Sequence, residues 1–213
     1  MTQVLFVTGT DTGVGKTVVS AVLARRARDA GKKVVYVKPV QTGLAPGQRG
    51  SDADFVGAAA GVDARELLRF PQPLAPAVAA ELSNTSIDVD DLAAQTLACG
   101  DASDLLLVEG AGGLLVPLSK DRTMADFAAA IGARLVVAVR PGLGTLNHTA
   151  LTVEAAACRG LAIECLVVSG YPGRPGLTET TNLQRLRATG LTVEVLGHAE
   201  GLSVEEGVGM LPD

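Results

Sequence analysis

A glycine-rich turn backed by a lysine and a hydroxyl is the first place in this 213-residue chain where side chains could do chemistry. Gly9-Thr10-Asp11-Thr12-Gly13-Val14-Gly15-Lys16-Thr17 follows the apolar run Val4-Leu5-Phe6-Val7 and leads through Val18 into a helical pattern. Turn N–H groups and a helix N-terminus present partial positive charge. A lysine adds a full charge, and a threonine hydroxyl can ligate Mg²⁺. Together they hold phosphates. The spacing departs from the strict G-x-x-x-x-G-K-[ST] pattern, which needs glycine at position 10; that residue is Thr10, and the glycine is Gly9. A coincidental glycine-rich turn is the competing reading. The placement of Gly15-Lys16-Thr17 between a strand and a helix argues against it. Gly13, Val14, Gly15, Lys16, Thr17 and Val18 are the expected nucleotide contacts.

Four further stretches carry related groups. Asp104-Leu105-Leu106-Leu107-Val108-Glu109 ends an apolar strand on a carboxylate, where nucleotide-binding domains put a metal-directed acid. A solvated strand-end glutamate is the alternative. Lys38, in Val37-Lys38-Pro39, would face a γ-phosphate if its strand ends beside the glycine loop; a snorkelling surface lysine fits that stretch equally well. Ser51-Asp52-Ala53-Asp54 offers Asp52 or Asp54 as a second Mg²⁺ carboxylate, although either can serve as a helix cap or dipole partner. Gly142-Leu143-Gly144-Thr145-Leu146-Asn147-His148-Thr149 runs into a helix N-terminus and makes a second anion seat. His148 reads as a structural donor. His198 reads as a surface-loop residue that could act as a base or touch a nucleotide.

The elements that position these groups follow from hydrophobic periodicity. Strands are expected at 3–8, 33–37, 104–108, 134–139, 163–168 and 193–196, with a short extended piece at 114–118. Helices are expected at 17–30, 52–60, 77–82, 89–98, 123–131, 146–158 and 178–189. Val18, Ala21, Val22, Leu23 and Ala24 form the apolar stripe of the first helix. Residues 40–51 read as a polar loop, 70–76 as a proline-rich connector, and the tail from Gly197 as a final turn or short helix. This alternation predicts an α/β fold: a mostly parallel sheet with helices on both faces, binding ligands outside the carboxyl ends of its strands. Every residue named above lies at such an end. With no internal repeat, residues 1–213 are expected to form a single domain of the P-loop type.

Composition narrows the partners. Hydrophobic residues make up 47% of the chain and aromatics 3%, with no Trp, so the core must be aliphatic. The net charge of −5 and the lack of any Lys/Arg run argue against nucleic-acid backbone binding. Cys99, Cys158 and Cys165 are odd in number and lack metal-ligand spacing, as expected of thiols in a reducing compartment. No apolar run approaches the roughly 20 residues that cross a bilayer, and the chain enters its first strand without a basic n-region. A cytoplasmic protein with no membrane partner is expected.

Several pieces together are specific: Gly9 to Thr17, Lys38-Pro39-Val40-Gln41-Thr42-Gly43, Ser51-Asp52-Ala53, Pro71-Gln72-Pro73-Leu74-Ala75-Pro76, Val108-Glu109-Gly110-Ala111-Gly112-Gly113-Leu114 and Gly144-Thr145-Leu146-Asn147-His148-Thr149. In this order and with these intervals they resemble dethiobiotin synthetases across almost the whole chain. The resemblance implies a ligase of biotin biosynthesis that uses ATP and Mg²⁺. It would close the ureido ring of dethiobiotin from 7,8-diaminononanoate and CO₂ through a carbamate and a carbamic-phosphoric anhydride. Thr17, Asp52 and Glu109 match the family's Mg²⁺ positions, and Thr12, Lys16, Lys38 and Thr42 those near the diamine or carbamate. Lys16 and Lys38 are the implied catalytic cations, since carbamate and γ-phosphate repel each other. The resemblance also implies a homodimer in which Gly144, Thr145, Leu146 and Asn147, partly from the partner subunit, meet the substrate's carboxylate tail. Ser169, Gly197, His198 and Ala199 fall on the nucleotide's base side. Many family members carry an asparagine after the strand that here ends near Val168. This chain has Ser169-Gly170-Tyr171 there, so a tolerant or altered base preference is expected.

Two other readings compete. A ligase like the cobyrinic acid amidases would need a glutaminase domain for which this chain is too short. A partitioning-type switch ATPase would carry a signature lysine where this chain has Asp11, and neither a basic patch nor an amphipathic membrane tail is evident.

Overall fold

The computed structural model describes residues 2–197. Its strands are β1 (Gln3–Gly9), β2 (Val34–Thr42), β3 (Asp63–Phe70), β4 (Leu105–Gly113), β5 (Arg134–Val139), β6 (Ile163–Tyr171) and β7 (Val193–Gly197). Its helices are α1 (Lys16–Asp29), α2 (Asp52–Ala60), α3 (Pro76–Leu82), α4 (Val89–Cys99), α5 (Met124–Ala130), α6 (Thr145–Ala157) and α7 (Leu177–Arg187). The strands form one sheet in the order β3-β2-β4-β1-β5-β6-β7, and every pairing is parallel. The chain builds outward from the central β1, through β2 to β4 on one side and β5 to β7 on the other. The glycine loop leaves β1 at that division, where ligands bind in open parallel sheets.

Strands covered on both faces read as continuous apolar runs, as in Leu105-Leu106-Leu107-Val108 and Leu135-Val136-Val137-Ala138-Val139. Alternation sorts these residues between two cores. Leu5, Val7, Val34, Tyr36, Leu105, Leu107 and Val136 pack under α1 and α2. Phe6, Val35, Val37, Leu106, Val108 and Val137 pack against α3 to α7. Fully burying a side chain of this size contributes about 1.5–3 kcal/mol, so two aliphatic layers can stabilise the sheet with little aromatic packing. Phe6 and Phe127 meet edge-to-face, with ring centroids 6.0 Å apart.

One strand has no counterpart among the expected elements, and three expectations need correction. The hydrophobic pattern gives no strand over β3, because Asp63-Ala64-Arg65-Glu66-Leu67-Leu68-Arg69-Phe70 carries four charges in eight residues. The strand forms because it lies at the sheet edge, where charge is tolerated and blocks pairing with other chains. β2 does not stop at Val37. It pairs with β3 as far as Thr42, although its pairing with β4 ends at Val37. Pro39, which lacks an N–H, is thereby accommodated where a ladder partner has dropped away. Residues 114–118 form no strand, only a bridge between Pro117 and Thr123. The buried side of α1 is Lys16, Val19, Ser20, Ala21, Val22 and Ala24, rather than a stripe including Val18 and Leu23. Among the described residues, no helix is long and apolar enough to cross a membrane.

Candidate active site

Strand alternation aims the key side chains. Leu105 and Leu107 point toward α1 and α2, so Glu109 does too; Val34 and Tyr36 point the same way, and so does Lys38. The parallel register sets Tyr36 beside Leu107 and Val37 beside Val108, which carries Lys38 alongside Glu109. Gly110 follows because a Cβ there would come within 2.7 Å of the Phe6 ring on the opposite face.

Glu109 is 1% exposed and is the hub of the site. Its Oε1 accepts from Lys38 Nζ at 2.9 Å and lies 2.9 Å from Thr17 Oγ1. Its Oε2 accepts from Ser20 Oγ at 2.7 Å and from the Tyr36 hydroxyl at 3.0 Å. Lys38 also reaches Asp52 Oδ2 at 2.6 Å and the Gly110 carbonyl at 3.2 Å, so its three donors have three acceptors. Thr17 Oγ1 lies 3.1 Å from Asp52 Oδ1 as well, and its single proton serves one carboxylate at a time.

The charges are set by this packing. Burial works against a charged Lys38, but Glu109 and Asp52 outweigh it and raise its pKa, so it stays an ammonium. Lys16 has no such pairing: its Nζ donates to the Asp11 carbonyl at 3.0 Å. Burial first, and the charge of Lys38 second, lower its pKa to about 8. Tyr36 goes the other way. Burial, followed by the Glu109 charge, holds its pKa well above the usual phenol value and keeps it a donor.

The glycine loop delivers Lys16 and Thr17 through a left-handed residue. Gly15 caps α1 at φ +90°, and a Cβ there would lie 2.2 Å from Ser169 Oγ, at the end of β6. Glycine alone fits both constraints. α2 enters through a capping box: the Ser51 hydroxyl accepts from the Asp54 N–H at 3.1 Å, and Asp54 Oδ2 accepts from the Ser51 N–H at 3.1 Å. Asp54 is therefore occupied as a cap, and Asp52 is the acid turned to Lys38. Gln41 secures it, accepting from the Asp52 N–H at 3.1 Å.

Of the expected site residues, the fold brings Thr17, Lys38, Asp52 and Glu109 into direct contact. Lys16 stands beside them, and Ser169 lies over Gly15. Gly13 and Val14 lie in the loop, and Val18 is in the first turn of α1. Thr12 borders a cavity of about 420 Å³ between the loop and α6, walled by Leu114, Val116, His148 and Leu151. Thr42 ends β2, its side chain outside this contact network. Gly144 to Asn147 open α6, with Gly144 at φ +91° and Thr145 fully buried. Gly197 ends β7; His198 and Ala199, with the tail beyond, lie outside the described residues. Ser20, Tyr36, Gln41 and Arg140 were not anticipated. The two-residue step from Tyr36 to Lys38 signals a shared strand face. Nothing local marks Arg140, whose Nη2 pairs with Asp11 Oδ2 at 2.7 Å across 129 residues.

Thr17, Asp52 and Glu109 make an all-oxygen set suited to a hard cation. Among the described residues there is no cluster of three or more His, Cys, Asp or Glu. Two carboxylates and a hydroxyl beside a phosphate loop match the way Mg²⁺ is held together with substrate phosphates.

The fold and this site define a P-loop α/β protein that binds nucleotide phosphates. A family model described as an AAA domain matches residues 3–204. The plasmid partition protein of Borrelia burgdorferi, solved with AMPPNP, shares this architecture: TM-score 0.61 at 14% identity, covering 96% of this chain and 90% of that one. The chloroplast FtsY of Physcomitrella patens gives 0.55 at 14% identity, covering 97% and 61%. At such identities the likeness is one of fold. Sequence relatives are more specific. The chain is 46% identical to an ATP-dependent dethiobiotin synthetase of Rhodococcus jostii over 212 residues, covering 98% of this chain and 89% of the relative. It is 49% identical to that of Frankia casuarinae, covering 84% and 76%, and 48% identical to that of Mycobacterium avium, covering 87% and 82%. The chain belongs to the dethiobiotin synthetase family, and the switch-ATPase reading is not favoured.

Proposed function

We propose that this protein closes the ureido ring of dethiobiotin, using ATP, CO₂ and 7,8-diaminononanoate. The observation that carries the reading is the Lys38 ammonium, fixed between Asp52 and Glu109 and close enough to Lys16 to depress its pKa. Two cations at one phosphate loop suit a reaction that joins two anions. One amine takes up CO₂ and loses a proton, giving a carbamate. A carbamate oxygen attacks the γ-phosphorus, ADP leaves, and the neighbouring amine displaces phosphate from the carbonyl as the ring closes. Lys16 holds the triphosphate, and Lys38 offsets the charge that develops between carbamate and γ-phosphate. Mg²⁺ held by Thr17, Asp52 and Glu109 would supply further charge to the phosphates. Ring closure needs no side-chain nucleophile, because both reacting groups belong to one molecule.

Thr12 and the cavity beside it take the substrate's alkyl chain, with Thr42 on the β2 side and Gly144 to Asn147 meeting its carboxylate. The exposed Leu143, Leu146 and Leu151 around α6 support a homodimer built on that helix, which light scattering would test. Ser169 and Gly197 flank the nucleotide; the contacts that the family resemblance implies for His198 and Ala199 fall outside the described residues. The free thiols and the ATP requirement suit a cytoplasmic setting.

The test is direct. Purified protein with diaminononanoate, bicarbonate, Mg²⁺ and ATP should yield a product with the mass of the cyclic urea. Phosphate release that does not depend on the diamine, or absence of the urea, would overturn the proposal. Replacing ATP by CTP, GTP and UTP tests the base side: comparable rates, or a preference for another base, are expected from Ser169-Gly170-Tyr171, and a strong ATP preference would show that base reading lies elsewhere.

A further inference from the structure

We propose that Ser20 and Tyr36 are positioning residues for Glu109, holding its Oε2 so that Oε1 alone faces Thr17, Lys38 and the divalent cation. The inference rests on the reading of Glu109 as a metal-facing carboxylate and extends it to residues that touch neither metal nor substrate.

Three observations carry it. First, the division of labour is complete. Oε2 takes only Ser20 Oγ (2.7 Å) and the Tyr36 hydroxyl (3.0 Å), while Oε1 takes only Thr17 and Lys38. Second, the same two elements serve both oxygens. Ser20 lies one turn beyond Thr17 on α1, and Tyr36 lies two residues before Lys38 on the same face of β2. Any shift of the carboxylate is therefore opposed from both sides. Third, both hydroxyls are committed to this acceptor. Buried helical Ser and Thr commonly bond back to the carbonyl four residues earlier, as Thr96 does to Leu92 and Thr152 to His148. Ser20 is fully buried and makes no such bond; its hydroxyl goes to Glu109. Tyr36, also 0% exposed, has its hydroxyl on the same oxygen.

The consequence is selectivity. Mg²⁺ demands near-octahedral geometry with short bonds to single oxygens, whereas Ca²⁺ accepts bidentate carboxylates at longer range. A glutamate with one oxygen held by two buried donors can offer only the other. The Ser20–Tyr36 pair should thus favour the smaller cation.

The experiment measures Mn²⁺ binding to the ADP complex by electron paramagnetic resonance, with Mg²⁺ and Ca²⁺ as competitors, in wild type, Tyr36→Phe, Ser20→Ala and the double variant. Outer-shell changes typically cost about 10–100-fold in metal affinity. About tenfold weaker Mn²⁺ binding is expected for each single variant, more for the double, with competition shifted toward Ca²⁺. The half-saturating Mg²⁺ for turnover should rise in step. A lower melting temperature with unchanged Mn²⁺ affinity and an unchanged Mg²⁺/Ca²⁺ ratio would reduce the pair to a packing role and overturn the inference. Glu109→Gln separates the two levels. If it weakens Mn²⁺ binding and the hydroxyl variants do not, the positioning role alone fails. If it leaves Mn²⁺ binding intact, the metal reading of Glu109 fails and the inference with it.

Discussion

Two regions flank the phosphate loop, and they are built on opposite principles. Around Glu109 every donor is matched: both carboxylate oxygens are doubly engaged, and Lys38 makes three contacts. Around the start of α6 the opposite holds. Thr10 Oγ1, Arg140 Nε, Thr145 Oγ1, His148 Nδ1 and Thr149 Oγ1 are buried atoms with no partner among the described residues. A buried polar group gains about 1–3 kcal/mol from having a partner, so the second region keeps bonding capacity that the first has already used. The electrostatics for phosphate chemistry are pre-organised in the fold. The other side has bonding capacity to spend on what arrives, which in the proposed function is the diamine's polar end and its chain.

That contrast can be broken most forcefully at Lys38. Lys38→Met should lower urea formation by roughly 10³-fold, the scale of losing a pre-organised charge donor, while calorimetry still detects nucleotide binding. Near-normal turnover would remove Lys38 from the chemistry. The same change leaves Glu109 and Asp52 without their cation, and breaking a buried pair from one side costs about 3–5 kcal/mol. A clear fall in melting temperature is therefore expected as well.

Gly15→Ala probes the junction of the two regions. The left-handed φ costs a non-glycine residue roughly 1–2 kcal/mol, and the new Cβ would crowd Ser169. Nucleotide affinity should fall by at least tenfold. Combining it with Ser169→Gly should recover the part due to crowding and leave the part due to the backbone. Full recovery would show that φ +90° is not demanding here.

On the unmatched side effects should be smaller. Arg140 and Asp11 are 40% and 52% exposed, and such pairs contribute about 0–1 kcal/mol. Arg140→Ala should barely move the melting temperature, yet it should raise the KM for the diamine more than that for ATP. Equal changes in both would dissolve the distinction between the regions. The smallest effect concerns thiols. Burial, helped by Glu194 and Glu164, pushes the Cys165 pKa up to about 12, whereas Cys158 is exposed. At pH 8 a maleimide should label Cys158 and spare Cys165 in native protein, read by peptide mass; labelling of both would mean that β6 opens readily.

Much of this protein is set by short-range patterns. The glycine loop announces its phosphate role through residue type and spacing, Glu109 stands out as a carboxylate closing four apolar residues, and the alternation of apolar runs specifies a parallel sheet. β3 escaped because edge position, not local propensity, licenses its charges. The continuation of β2 past Pro39 escaped because only the loss of β4 as a neighbour makes it possible.

What tertiary structure alone decided is the identity of partners. Lys38 could have been a surface lysine; the register between β2 and β4 puts it on Glu109. Residue type left Asp52 and Asp54 equivalent, and only the family resemblance favoured Asp52; the capping box consumes Asp54 and leaves Asp52 to Lys38. Ser20 and Tyr36 look like ordinary helix and strand residues until helix packing and strand alternation aim both at one carboxylate oxygen. Local chemistry is written in residue type and spacing. Which groups meet across 70 or more residues depends on the packing that buries them together.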